Sequence, residues 1–293
     1  MIYPNLAQRV IIGIKKQPLK LLTSIFLAYA AIWTILEPII GIVPNAAQSF
    51  SGDVKFFTLI VISLCIGFYR NAVPNSINIK HGNYSIVILF GDLFSCNGFK
   101  VIPVSRYFFE TQVVPTSLQS KIIQMFVQSR EGDKGFSLYN QSLSSALQST
   151  AYEERHRGAT NQKERYYPLG ATAVLELDGN NYMMFALTET ELKGYIPKDN
   201  CNVSRMWIAL ENFWREARIN ARGKVINIPL IGSGVTGIKL NPSRLLEVNF
   251  LALVNELEEG GKITTEEVRI VLHPKYIEDI NLSDFQSIWS SGF

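Results

Sequence analysis

"IPLIGSGVTGI", residues 228–238, decides how the C-terminal part of this chain reads. An apolar, β-prone run leads into small residues and then toward a helix. Gly232, Gly234 and Gly237 satisfy the pattern G-x-G-x-x-G, in which near-absent side chains let backbone N–H groups converge on a phosphate. A Rossmann domain carries this turn after its first strand. It also places an acidic residue at the end of the next strand, about 20 residues on, for the ribose hydroxyls. Here the turn comes late. The acids at that distance, Glu256, Glu258 and Glu259, end a predicted helix ahead of the strand that begins near Glu267. A nicotinamide-dependent oxidoreductase is therefore disfavoured.

The surrounding pattern is α/β. "YSIVILF" (84–90) reads as a buried strand ending in Gly91-Asp92, and "FKVIPVS" (99–105) as another. Residues 117–128 place Leu118, Ile122, Met125 and Phe126 on one helical face. The run 170–189 reads as a hairpin turning at Asp178-Gly179-Asn180. Residues 203–222 carry a stripe of Val203, Met206, Trp207, Leu210, Phe213, Trp214 and Ala217 that packs against a sheet. Asn241 and Pro242 make an N-cap and first-turn pair for a helix to about Glu259. "EVRIVLHP" (267–274) is a further strand. Such alternation predicts a mixed, mostly parallel sheet with helices on both faces, binding its ligand beyond the strands' carboxyl ends. The charged segment 152–166 reads as a solvated loop, or as an insertion that closes over a site or contacts a partner.

The first 75 residues differ. From Leu21 to Val43, Glu37 is the one acidic or basic side chain. A helix of that length extends about 34 Å, enough to cross a hydrocarbon core of roughly 30 Å. A second run, Phe56–Tyr69, lies between Lys55 and Arg70, whose long side chains snorkel outward. A cleaved signal peptide and a pair of buried helices are the alternatives to a transmembrane hairpin with spans at about 21–43 and 54–73. Arg9, Lys15, Lys16 and Lys20 precede the first run, which places the N-terminus, and after two crossings the following domain, in the cytoplasm. Glu37, directly before Pro38, is either an interfacial carboxylate beside a kink or a polar group lining a wet path in an oligomer.

Composition narrows the classes. Of 293 residues, 47% are hydrophobic, 18% are charged, and the net charge is only +3, too little to argue for nucleic acid. Cys65, Cys96 and Cys201 form no C-x-x-C pair, so neither a disulfide framework nor a zinc site is expected.

"LFGDLF" (89–94) after the first long strand, together with the late glycine turn, resembles a macro domain across roughly 78–276. The resemblance implies a three-layer α/β fold that binds an ADP-ribose derivative, with no other cofactor. It implies that Asp92, followed by Leu93, accepts a hydrogen bond from the adenine amino group. It implies that Gly232, Ser233, Gly234, Val235, Thr236 and Gly237 wrap the diphosphate. Hydrolytic macro domains carry an Asn-rich, Gly-rich segment where this chain has "IPVSRYFFETQ" (102–112), which speaks against hydrolysis. There Ser105, Glu110 and Thr111 are candidate polar contacts. Tyr107, Phe108 and Phe109 either shape the distal-ribose end or simply pack.

Behind a transmembrane pair, such a domain is similar to the membrane-anchored macro effectors (ThsA type) of the antiphage system Thoeris. That likeness implies 1–75 as a hairpin in the inner membrane and 76–293 as a cytoplasmic macro-like domain. It also implies a TIR-domain partner enzyme that makes an ADP-ribose-derived signal, ADP-ribose joined to histidine being one form. Oligomerisation and membrane disruption would follow, with no catalytic residue. The alternatives are a membrane-tethered ADP-ribosyl hydrolase or phosphatase, and a module docking ADP-ribosylated proteins at the membrane.

Overall fold

The structure, a computed structural model, describes residues 4–42, 53–109, 113–130, 132–156, 163–193, 196–234, 238–259 and 267–290. The chain divides into two compact units.

The N-terminal unit is helical. α1 (Leu6–Lys16) opens with a reciprocal cap: the Asn5 side chain accepts from the Gln8 N–H, and the Gln8 side chain accepts from the Asn5 N–H. α2 (Pro18–Ile42) and α3 (Asp53–Asn71) cover the two apolar runs. α2 buries Leu21, Ser24 and Ala28, a three- and four-residue spacing, while α3 buries Leu59 and Ser63. A Cβ on Gly67 would lie 2.3 Å from Ile25 Cγ1, so only glycine permits this close approach. By length and composition α2 can cross a membrane, and among the described residues it alone meets that measure. The expected pair of crossings thus has one such helix behind it. α3 is 19 residues long and carries Lys55 and Arg70 near its ends.

In the second unit, eight strands among the described residues form one sheet. They are β1 (Ser76–His81), β2 (Tyr84–Phe90), β3 (Phe99–Ser105), β6 (Thr172–Leu177), β7 (Asn180–Lys193), β8 (Ile196–Asn200), β9 (Ile226–Pro229) and β10 (Glu267–Leu272). The order is β1-β2-β10-β9-β3-β7-β6, with β8 pairing to β7. β2, β10, β9, β3 and β7 run parallel, and the outer pairings β1–β2, β6–β7 and β7–β8 are antiparallel. The mixed, mostly parallel sheet read from the sequence is what forms.

Alternation along the strands builds two cores. Ile102, Val104, Met184 and Ala186 face α4 (Leu118–Ser129) and α5 (Asp133–Ala146), packing with Ile122, Phe126, Tyr139 and Leu143. On the other side the Phe185 ring meets Phe213, which meets Trp214, on α6 (Val203–Asn220). α7 (Pro242–Glu259) starts where Asn241 caps the Arg244 N–H at 2.9 Å. The β6–β7 turn has Asp178 at φ 48° and Gly179 at φ 75°, the doubly positive geometry of a tight hairpin.

Segment 152–166 departs from expectation. Rather than a plain loop, its described parts pair as an antiparallel hairpin, β4 (Glu153–His156) with β5 (Lys163–Tyr166). Its anchor is an aromatic ring between two guanidiniums. Arg106 lies 3.8 Å and Arg155 4.0 Å from the Tyr166 ring centroid, and Arg106 donates to the Tyr167 carbonyl at 2.6 Å. Burial pushes the Tyr166 hydroxyl up to about 12. No periodicity announces this contact, because it joins residues some sixty positions apart.

Candidate functional site

The parallel strands end together, and a cavity of about 360 Å³ lies at their carboxyl ends, a size ordinary for small-molecule sites. Three strand ends supply most of the wall. β2 continues into Gly91-Asp92, β9 into Leu230–Gly234, and β10 into His273–Tyr276. Ser105 from β3, Thr188 from β7, Val113, Val114, Thr116 and Ser117 ahead of α4, and Gln119 and Lys121 on α4 add to it.

Asp92 sits where the chain leaves β2, fixed by Gly91 N–H donating to the Leu272 carbonyl at 2.8 Å. The Asp92 carboxylate accepts from the Phe94 N–H at 3.1 Å and the Ser95 hydroxyl at 3.2 Å, capping a short helical turn, Leu93–Ser95. Lys121 Nζ stands 3.7 Å from Asp92 Oδ1 and 4.1 Å from the Phe94 ring centroid. The strand-end turn role and the site role of Asp92 are therefore compatible. Two internal donors occupy part of a carboxylate with about four acceptor positions.

The glycine turn is held from three directions. The Asn249 side chain, 2% exposed on α7, accepts from the Ile231 N–H and donates to the Ile231 carbonyl, both at 3.1 Å. It also donates to the Leu245 carbonyl at 2.7 Å. The Ser233 hydroxyl donates to the Leu230 carbonyl at 2.7 Å, and the Tyr276 hydroxyl donates to the Ser233 carbonyl at 3.1 Å. The glycines are not equivalent. Gly232 has φ 90°, and a Cβ there would come within 3.0 Å of Ile238 and Leu245 side-chain carbons. A Cβ on Gly234 meets nothing within 4 Å. Gly232 shapes the turn, whereas Gly234 keeps open space beside the cavity.

Of the site residues read from the sequence, Asp92, Leu93, Ser105, Gly232, Ser233 and Gly234 line this one cavity. Phe109 does not line it and packs on the hydrophobic core. Tyr107 and Phe108 are buried, not arrayed along the cavity: the Tyr107 ring lies tilted against Tyr166 at 5.2 Å and Phe108 edge-on to Tyr167 at 5.3 Å. The positive φ of Phe108, 51°, turns its ring into the core. Thr111, Val235, Thr236 and Gly237 lie outside the described residues, as does Glu110. Glu37 is exposed on α2, in the other unit.

Sequence inspection missed Asn249, Lys121, His273 and Tyr276. Asn249 did leave a signal: it interrupts the buried α7 stripe of Leu245, Ala252 and Leu253. An amide at a core position of a helix must bond to something. His273 follows the last residue of β10. Its Nδ1 accepts from the Lys275 N–H at 3.2 Å.

Burial, with the Lys275 ammonium next in effect, holds the His273 imidazole below its ordinary pKa. The folded chain thus takes up this proton less readily than the unfolded chain, and the contribution to stability falls as pH drops below the unfolded value of about 6.5. A bound anion would oppose that shift by favouring the imidazolium. Affinity for an anionic ligand is therefore expected to rise as pH falls toward the lowered pKa of His273 in the free folded chain, below about 6.5. His273→Asn, which retains an acceptor for the Lys275 N–H, is expected to flatten that rise in titrations at several pH values.

Comparison with known proteins gives the site a context. The family model described as "Thoeris protein ThsA, Macro domain" matches residues 86–273. No curated protein matches the chain. Among solved structures, an Oceanobacillus iheyensis macrodomain with ADP is 13% identical, covering 73% of this chain and 96% of its own at a TM-score of 0.46. A Trypanosoma brucei macrodomain in complex with ADP-ribose is 11% identical, covering 64% and 63% at a TM-score of 0.35.

Proposed function

The chain belongs to the Thoeris ThsA macro-domain family, and from that membership we propose that it senses an ADP-ribose-derived nucleotide and acts at a membrane. One observation carries the ligand assignment: Asp92 and the Gly232–Gly234 turn, far apart in sequence, face a single cavity at the strand ends. In this proposal Asp92 accepts from the adenine amino group while backbone N–H groups of the glycine turn hold the diphosphate. Lys121, beside Asp92, offsets the repulsion between its carboxylate and an anionic ligand. No residue acts as a catalyst. The signal comes from a TIR-domain partner enzyme, and ADP-ribose joined to histidine is the form to test first.

The output is assigned to residues 1–75, as a transmembrane hairpin of the inner membrane with the macro-like domain, 76–293, on the cytoplasmic side. α2 supports this by its length and apolar composition. One hairpin is too thin to enclose a pore, so disruption requires several copies. The ligand shifts that assembly only by binding the assembled form more tightly than the single chain. A carboxylate such as Glu37 is tolerated there if assembly hydrates it.

Asp92→Asn tests the ligand assignment with little disturbance, since the amide oxygen still caps the Phe94 N–H. A charge-assisted hydrogen bond contributes about 1.5–3 kcal/mol, so affinity is expected to fall roughly 10- to 100-fold. In liposomes carrying the full chain, nucleotide-triggered dye release should shift to correspondingly higher ligand concentration. Release with the same concentration dependence in both proteins would refute the assignment. Steady conversion of the nucleotide to products would instead establish the hydrolase alternative.

A further inference from the structure

α1 supplies none of the residues that line the cavity at the strand ends and lies outside the long apolar helices, yet its surface is the most strongly two-sided in the N-terminal unit. Leu6, Val10 and Ile14 follow at four-residue spacing with Ala7 and Ile11 beside them, forming one apolar arc. That arc is not covered: Leu6 is 50%, Ile11 51% and Ile14 36% exposed. The opposite side is fastened. Ile12 and Gly13 are buried, and a Cβ on Gly13 would fall 2.0 Å from the Asn71 carbonyl oxygen. Arg9 Nε donates to the Val73 carbonyl at 2.7 Å, and the Val73 N–H returns a bond to the Arg9 carbonyl at 3.2 Å. α1 is thereby pinned beside the point where the chain leaves α3, and Gln17 alone separates it from α2.

Charge gathers at the same level. Lys15 and Lys16 end α1, Lys20 lies in the first turn of α2, and Arg70 lies in the last turn of α3, all exposed. Residues 1–36 contain no Asp or Glu. An exposed apolar arc flanked by basic residues, fixed at the end of a helix that can cross a bilayer, fits the boundary between acyl chains and anionic headgroups.

We propose that α1 is an in-plane anchor, seating its Leu6–Val10–Ile14 arc in the headgroup layer of an anionic bilayer while Lys15, Lys16, Lys20 and Arg70 contact lipid phosphates. This rests on the assignment of α2 as a membrane span.

The test uses the full chain with Cys65, Cys96 and Cys201 changed to serine and single nitroxide labels at Ile11→Cys, Ile14→Cys, Ile35→Cys or Ile219→Cys. Each protein is reconstituted into vesicles of phosphatidylcholine with or without phosphatidylglycerol, and collision with oxygen is compared with collision with a water-soluble nickel chelate. Ile35 reports the span, and the exposed Ile219 of the other unit reports water. The expected result is an oxygen-to-nickel ratio at Ile11 and Ile14 well above that at Ile219 with phosphatidylglycerol. That excess should shrink when the anionic lipid is omitted or when Lys15→Glu and Lys16→Glu are introduced. Labels at Ile11 and Ile14 that match Ile219 while Ile35 is immersed would overturn the anchor and leave the span standing. All four labels in water would overturn both. Spin–spin broadening at Ile11 and Ile14 irrespective of lipid would assign the arc to a second copy and overturn the lipid proposal.

Discussion

A Gly234→Glu chain is expected to fold as the parent does and to lose nucleotide binding. Gly234 lines the cavity, its φ is not positive, and a side chain there begins in open space. The substitution adds no backbone strain and no overlap, so the melting temperature should hardly move. Its carboxylate would nevertheless stand where the proposal puts a diphosphate. Like charges brought together in a site cost several kcal/mol, a loss on the order of 100-fold or more in affinity. Gly232→Ala is the informative contrast. It strains a backbone at φ 90° and forces 3.0 Å contacts with Ile238 and Leu245, so it should lower stability by about 1–3 kcal/mol. Thermal melts and titrations of the two variants should separate binding from folding. Equal loss of stability in both would contradict the distinction between a glycine that shapes the turn and one that leaves room.

Asn249→Leu is expected to be the most damaging change away from the cavity wall. It removes the acceptor for the Ile231 N–H and the donor to the Ile231 carbonyl at a residue only 1% exposed. Each buried group left without a partner costs about 1–3 kcal/mol, so roughly 2–6 kcal/mol is at stake. Asn249→Asp keeps an acceptor for the N–H but puts an oxygen against the Ile231 carbonyl, and should recover only part of the loss. Urea unfolding of the three proteins measures the order, parent above Asp above Leu. A Leu variant as stable as the parent would show that the Asn249 clamp contributes little.

What the sequence alone declares follows from where each signal is written. The glycine turn, the Gly91-Asp92 strand end and the hairpin at Asp178-Gly179 depend on local backbone chemistry, which neighbouring residues declare. The sheet's parallel centre follows from strand–helix alternation. The clamp of Asn249 on Ile231, the Tyr276 bond to Ser233 and the stacking of Tyr166 between Arg106 and Arg155 all join distant residues. Each needs a partner from another element, 18 to 60 positions away. The aromatic run Tyr107–Phe109 shows the same limit from the other side. Its residues suit either a cavity wall or a core, and the positive φ of Phe108, which no side-chain pattern predicts, turns that ring inward. Likewise, α1 is too short and too basic for a transmembrane window, although its two-sidedness is plain once its helical bounds are known.

Titration calorimetry of the detergent-solubilised full chain with ADP-ribose, its histidine conjugate and NAD tests the central claim most directly. Saturable one-site binding of at least one ADP-ribose compound, weakened by Asp92→Asn and abolished by Gly234→Glu, is the predicted result. Absence of binding to all of them, or binding that neither substitution alters, would contradict it.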